Sequence, residues 1–176
     1  MANNQTRGLD PTTTASGVSR IVLRGVAGLL AVVLVACAQA RIPRRLAGLH
    51  RTRVWTGATA TRLVSRLHDQ AMSAATSAVA DYGTGSELRL YLSTFADDRA
   101  ALAAFDAMLR GIRTGDTPFA PPREHQEMPG HWVTYGPGGH QMLWVSQRQL
   151  YWLQGDPETV ERAAGELPAP LAGVWT

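Results

Sequence analysis

The sequence predicts an α+β fold: an N-terminal membrane anchor or signal segment, then a small antiparallel or mixed sheet of about five strands, with helices packed on one face. Three observations carry that expectation. Residues 21–40, IVLRGVAGLLAVVLVACAQA, are the only long apolar run. Two stretches, 87–95 and 131–154, read as strands between turn-forming residues, the first alternating apolar and polar side chains and the second apolar and aromatic on both faces. Two others, 97–113 and 157–167, place apolar residues at helical spacing, the first beginning with acids that suit a helix's positive end and the second behind an aspartate suited to capping.

Residues 1–20 are polar, with Asn, Gln, Thr and an Asp-Pro pair, and read as a disordered leader. The run that follows holds one charge, Arg24. About 18 apolar residues at ~1.5 Å rise nearly cross a ~30 Å hydrocarbon core, so an uncleaved transmembrane helix fits. A signal peptide fits as well: Arg20 and Arg24 supply a positive start and residues 25–33 an apolar centre. Leu34-Val35-Ala36-Cys37 then resembles a bacterial lipobox, a resemblance that implies a lipidated Cys37 at the mature N-terminus. Cys37 is the sole cysteine, so no intramolecular disulfide and no cysteine-based zinc site is available.

All 17 basic residues are Arg, and the net charge of +3 conceals a gradient. Residues 1–36 carry +2, residues 37–68 carry seven Arg and no acid, and residues 69–176 carry seven Arg against thirteen acids. The acidic globular part argues against nucleic acid as a partner. Residues 41–58 read as a basic juxtamembrane stalk, in which Arg41, Arg44, Arg45, Arg51 and Arg53 meet anionic lipid headgroups, worth roughly 1 kcal/mol each near the surface. The flanking charges mildly favour a cytoplasmic domain by the positive-inside rule. The signal-like features favour export, and export is the expectation adopted.

A single domain is expected over 59–168, with a tail at 169–176. Residues 59–72 place Ala60, Leu63, Val64, Leu67 and Ala71 at helical spacing. Residues 74–82 and 87–95 read as a hairpin about Gly83-Thr84-Gly85-Ser86, although the Ala-rich first arm also suits a helix. In helix 97–113, Asp97 and Asp98 favour the positive end and Gly115 stops it. Four prolines make 114–130 a long loop. Strands follow at 131–135, 140–146 and 149–154, turned by Gly136-Pro137-Gly138-Gly139 and Gln147-Arg148. Asp156 caps the last helix, Pro157 takes its first position and Pro168 ends it. The order is ββαβββα after one leading helix.

The C-terminal meander holds the candidate site. Pairing Tyr135 with His140 and Ser146 with Gln149 puts His131, Val133, Tyr135, His140, Met142, Trp144, Tyr151 and Leu153 on one face. Trp132, Leu143, Val145, Leu150 and Trp152 fall on the other. Both faces are apolar, so one is expected to meet a partner protein or an apolar ligand unless the leading residues cover it. Trp132, Tyr135, Trp144 and Tyr151 are the candidate binding residues, rimmed by the loop 118–129. His131 and His140 share a face and are candidate metal ligands, with His68, His125 and Asp69 as further donors. No His spacing fixes such a site, no G-x-S-x-G is present, and the GTGS and GPGG segments lack the P-loop pattern. No cofactor is implied. The functional expectation is a membrane-anchored, extracytoplasmic binding module without catalysis. A His-dependent metal enzyme or redox accessory, and a cytoplasm-facing regulator, are the alternatives.

Overall fold

The computed structural model describes residues 42–67, 74–115 and 117–171. The chain divides into Met1–Gln39 and Ala40–Thr176, and every described residue belongs to the second unit. Cys37, Arg41, His68, Asp69 and the anchor residues 21–40 therefore lie outside the described residues.

The turn chemistry sets the sheet. Gly83 (φ +79°) opens the turn between β3 (Thr76–Tyr82) and β4 (Leu88–Thr94), which pair antiparallel over seven residues from Tyr82↔Leu88 to Thr76↔Thr94. Gly138 and Gly139, both at positive φ, turn β6 (Trp132–Gly136) into β7 (Gly139–Ser146). β7 returns through Gln147, at φ +50°, into β8 (Gln149–Gly155). The expected registers Tyr135↔His140 and Ser146↔Gln149 are both present. The Ala-rich arm is a strand, because β4 pairs it on one side and β2 (Leu49–Thr56) on the other.

The sheet is larger than expected. Among the described residues it has eight antiparallel strands in the order β1-β2-β3-β4-β8-β7-β6-β5, with the two-residue strands β1 (Arg45–Leu46) and β5 (Arg123–Glu124) outermost. Residues 45–56, read from sequence as a stalk, thus belong to the sheet. Leu46 is 1% exposed, and Ile42 and Leu49 pack against the same core. A run that donates a ladder and a buried Leu is structure, whatever its charge.

Three helices flank the sheet among the described residues. α1 (Gly57–Ser65) and α2 (Asp98–Thr114) bury Ala60, Val64, Phe105, Leu109 and Ile112 against Val79, Tyr91, Leu143, Val145, Leu150 and Trp152. α3 (Pro157–Glu166) buries Val160, Ala163 and Ala164 on the opposite face, with Leu90, Met142, Trp144, Tyr151 and Leu153. The helices therefore cover both faces rather than one. Two apolar faces need two covers, and α3 with residues 42–49 supplies the second. Asp156 caps α3 as expected, accepting from the Thr159 N–H at 3.0 Å, and Gly115 ends α2 in the left-handed region at φ +87°; Asp97 stands just before α2 and caps it, accepting from the Ala100 N–H at 2.8 Å.

Candidate binding edge

The four aromatic candidates divide between core and surface. Trp144 and Tyr151 stack with ring centroids 4.9 Å apart and planes 9° apart, at 0% and 3% exposure. The Trp144 indole N–H donates to the Pro168 carbonyl at 2.9 Å, and the Tyr151 hydroxyl donates to Gln149 Oε1. Burial pushes the Tyr151 phenol up to about 12. These two are core residues, not a binding surface, because α3 and the tail that follows it lie over them. Trp132 is half-buried beneath the Arg113 guanidinium, 5.0 Å from its ring centre. Only Tyr135, at 49%, is open to solvent. The four do not form one surface.

The histidines separate for a geometric reason. His131 lies against Trp144, ring centroids 4.8 Å apart, and His140 against Tyr135 at 5.0 Å. Four residues along β7 separate those two positions, roughly 14 Å of strand. Two imidazoles that far apart cannot meet on one ion, whose nitrogens must lie ~2.1 Å from it. Among the described residues no group of three or more His, Cys, Asp or Glu can hold a metal. His125 lies in the loop after β5. Its Nδ1 accepts from the Glu127 and Met128 N–H groups at 3.2 Å, which leaves the proton on Nε2, 3.4 Å from Glu161 Oε1. His131 Nδ1 faces the Met128 carbonyl at 3.2 Å and therefore donates. Its Nε2, and both ring nitrogens of His140, are buried with no hydrogen-bond partner among the described residues. Burial lowers the pKa of both rings, against the opposing effect of backbone bonds for His131 and of Glu161 for His140.

The second face carries a polar row that the sequence pattern hid. Asp81, Arg89, Gln154, Gln141 and Thr134 stand opposite one another across β3, β4, β8, β7 and β6. Asp81, 1% exposed, takes two hydrogen bonds from Arg89 and one from Ser86. Gln141 accepts from the Trp152 indole at 2.6 Å, and Gln154 accepts from the Tyr91 hydroxyl at 3.2 Å. The Arg89 guanidinium also lies 5.9 Å from the Trp55 ring and 6.0 Å from the Tyr91 ring. With its charges and amides partnered, this row ties the strands together.

The two sheet edges differ. The β6 edge is covered along its length: β5 pairs with Trp132 and Val133, the Ala120 N–H donates to the Tyr135 carbonyl at 2.7 Å, and the His125 N–H to the His131 carbonyl at 2.8 Å. Where β6 ends, the Leu171 N–H takes the Val145 carbonyl at 3.0 Å. At the other end, β1 pairs only with Leu49 and His50, and the Arg51 N–H reaches the Arg44 carbonyl at 2.9 Å. From Thr52 to Thr56 the backbone pairs only with β3 among the described residues. A bulge between Arg51 and Arg53 sets Thr52 aside, and its hydroxyl turns back to the Asp81 and Gly83 carbonyls.

That open edge is basic. Residues 42–67 contain six Arg and no acid, and none of the six pairs with a carboxylate among the described residues. Arg44, Arg45 and Arg53 are exposed. Arg51 is half-buried, its guanidinium donating to the Ile42 carbonyl at 2.9 Å. Val54, at 46%, is the other large apolar side chain left in solvent. Residues 49–56 carry a β-branched and aromatic signature in Thr52, Val54, Trp55 and Thr56 that marks a strand, but the density of Arg obscures it. Comparison of the chain with protein-family models, with curated proteins and with solved structures finds no match in any of the three.

Proposed function

We propose that the protein is a membrane-anchored, extracytoplasmic binding module without catalysis, tethered by residues 21–40 and receiving its partner at the basic edge of β2. The observation that carries the reading is that edge: exposed Arg, an exposed Val and strand backbone unpaired among the described residues, beside a core whose aromatic residues are occupied. The buried Asp81 carboxylate supports a structural use, since it is bound by Arg89 and Ser86. The anchor reading rests on the apolar run and the lipobox-like residues ending in Cys37. Arg45 follows Ala40 by five residues, at most ~18 Å of extended chain, so Arg41, Arg44 and Arg45 are within reach of anionic headgroups beside the anchor.

Compartment is tested by thiol labelling. Thr84 lies in the exposed β3–β4 turn, and a Thr84→Cys variant in intact cells is treated with a membrane-impermeant maleimide, with the wild-type chain as the Cys37 control. The reading expects Thr84→Cys to label before lysis and the wild type not to. Labelling of the variant only after permeabilisation places the domain in the cytoplasm and overturns the extracytoplasmic assignment.

A further inference from the structure

We infer that the open edge of β2 takes an added strand from a partner protein, an extended segment in which acidic and apolar side chains alternate. The inference rests on the binding-module reading and names the partner's chemistry. A strand edge with free N–H and C=O groups is a template for a further strand, and backbone bonds supply affinity without regard to sequence. Selectivity comes from the side chains that alternate along β2. Arg53 and Trp55 stand opposite Asp81 and Val79 on the face covered by α1 and α2, with Arg89 over the Trp55 ring. Val54 stands opposite Ala80 on the other face and is half exposed. A strand laid beside β2 therefore meets the Arg53 cation on one face and, on the other, the exposed Val54 side chain with the half-buried Arg51 further along. Acids on the first face and apolar residues on the second satisfy both.

Charge also decides among occupants. A second copy would bring its own β2, and with it Arg51 and Arg53, against the same residues, and like charges across a strand pair are destabilising. Arg on an edge strand is a common guard against indiscriminate pairing. Here the guard leaves one class of strand favoured, because an acidic segment turns the repulsion into attraction.

The test uses the full chain in phosphatidylcholine nanodiscs and a fluorescein-labelled peptide of alternating Glu and Val. Anisotropy should show saturable binding that weakens with added salt. Replacing Glu by Lys, or placing Pro at the peptide's centre, should abolish it, and neither change touches the protein's fold. Amide exchange at those amides of residues 52–56 that point away from β3 should slow on peptide addition. Arg53→Glu, at an exposed side chain that holds no bond, should weaken binding about tenfold at low salt, while Tyr135→Glu on the far edge should leave it unchanged. Equal binding of the Lys peptide, or no binding, overturns the inference. So does slow exchange, before any peptide is added, at those amides of 52–56 that point away from β3, which would mean that this chain or a second copy already covers the edge. Protection by phosphatidylglycerol nanodiscs in place of the peptide would assign the edge to lipid instead. Because the nanodisc assay is indifferent to cellular compartment, it can fail while the labelling result stands, and the reverse.

Discussion

Trp144 shows what a single side chain reveals about burial. Its alternation with Leu143 and Val145 fixes its face, since Gly138-Gly139 and Gln147-Arg148 hold the registers on either side. Its exposure is not local information. The cover comes from α3 and from the Pro168 carbonyl, 24 residues away in sequence, and no pattern within 131–154 reports it. Tyr135, on the same face, escapes because it lies near the sheet's edge. The histidines carry the other consequence at this scale. Both His131 and His140 are neutral in a buried setting, with folded-state pKa below the ordinary 6.5. As pH falls, the unfolded chain takes up protons first. Their contribution is therefore whole above about pH 6.5 and is lost as the pH drops toward the folded values. Thermal unfolding should show a Tm nearly constant between about pH 8 and 7 that declines toward about pH 5. The decline should be shallower in a His140→Leu variant. An equal decline in both would show that the carboxylates, not this imidazole, govern the acid side.

At the scale of elements, most of the order was legible. The β3–β4 hairpin, α2, the β6-β7-β8 meander and α3 follow from turn residues, capping aspartates and period alone. What was not legible was short or masked by charge. β5 has two residues, too few for any period. β1 and β2 sit in the most Arg-dense part of the chain, and charge density led to a stalk although Val54, Trp55 and Thr56 are strand formers. The difference is measurable. Leu46 shares a core with Ala80, Leu90 and Met142, so Leu46→Ala should cost about 2–5 kcal/mol in urea unfolding. Arg53→Ala, seven residues on in the chain, should stay within about 0.5 kcal/mol. A silent Leu46→Ala would restore the stalk.

Across the whole molecule, sequence charge becomes spatial charge. The basic 42–67 segment forms one end of the sheet, β1 and β2 with α1, while the acidic remainder supplies the other six strands. Six strand spacings of ~4.8 Å along the sheet separate β2 from β5, about 29 Å. One edge is open and basic, and the other is covered by the 120–125 loop. The sequence displayed the gradient but not its meaning, because a stalk and an edge strand have the same composition and differ only in whether a second strand accepts them. Here β3 accepts β2 on its inner side, and among the described residues no strand pairs with 52–56 on its outer side.

The most direct measurement of that assignment is site-specific photocrosslinking in intact cells, with a benzophenone side chain at position 54 or at position 135 of the full chain. The account predicts crosslinks from position 54, mapped by mass spectrometry to an acid-rich segment of an extracytoplasmic protein. It predicts few from position 135. Crosslinks from 135 alone, or products at 54 that contain only lipid, would contradict it.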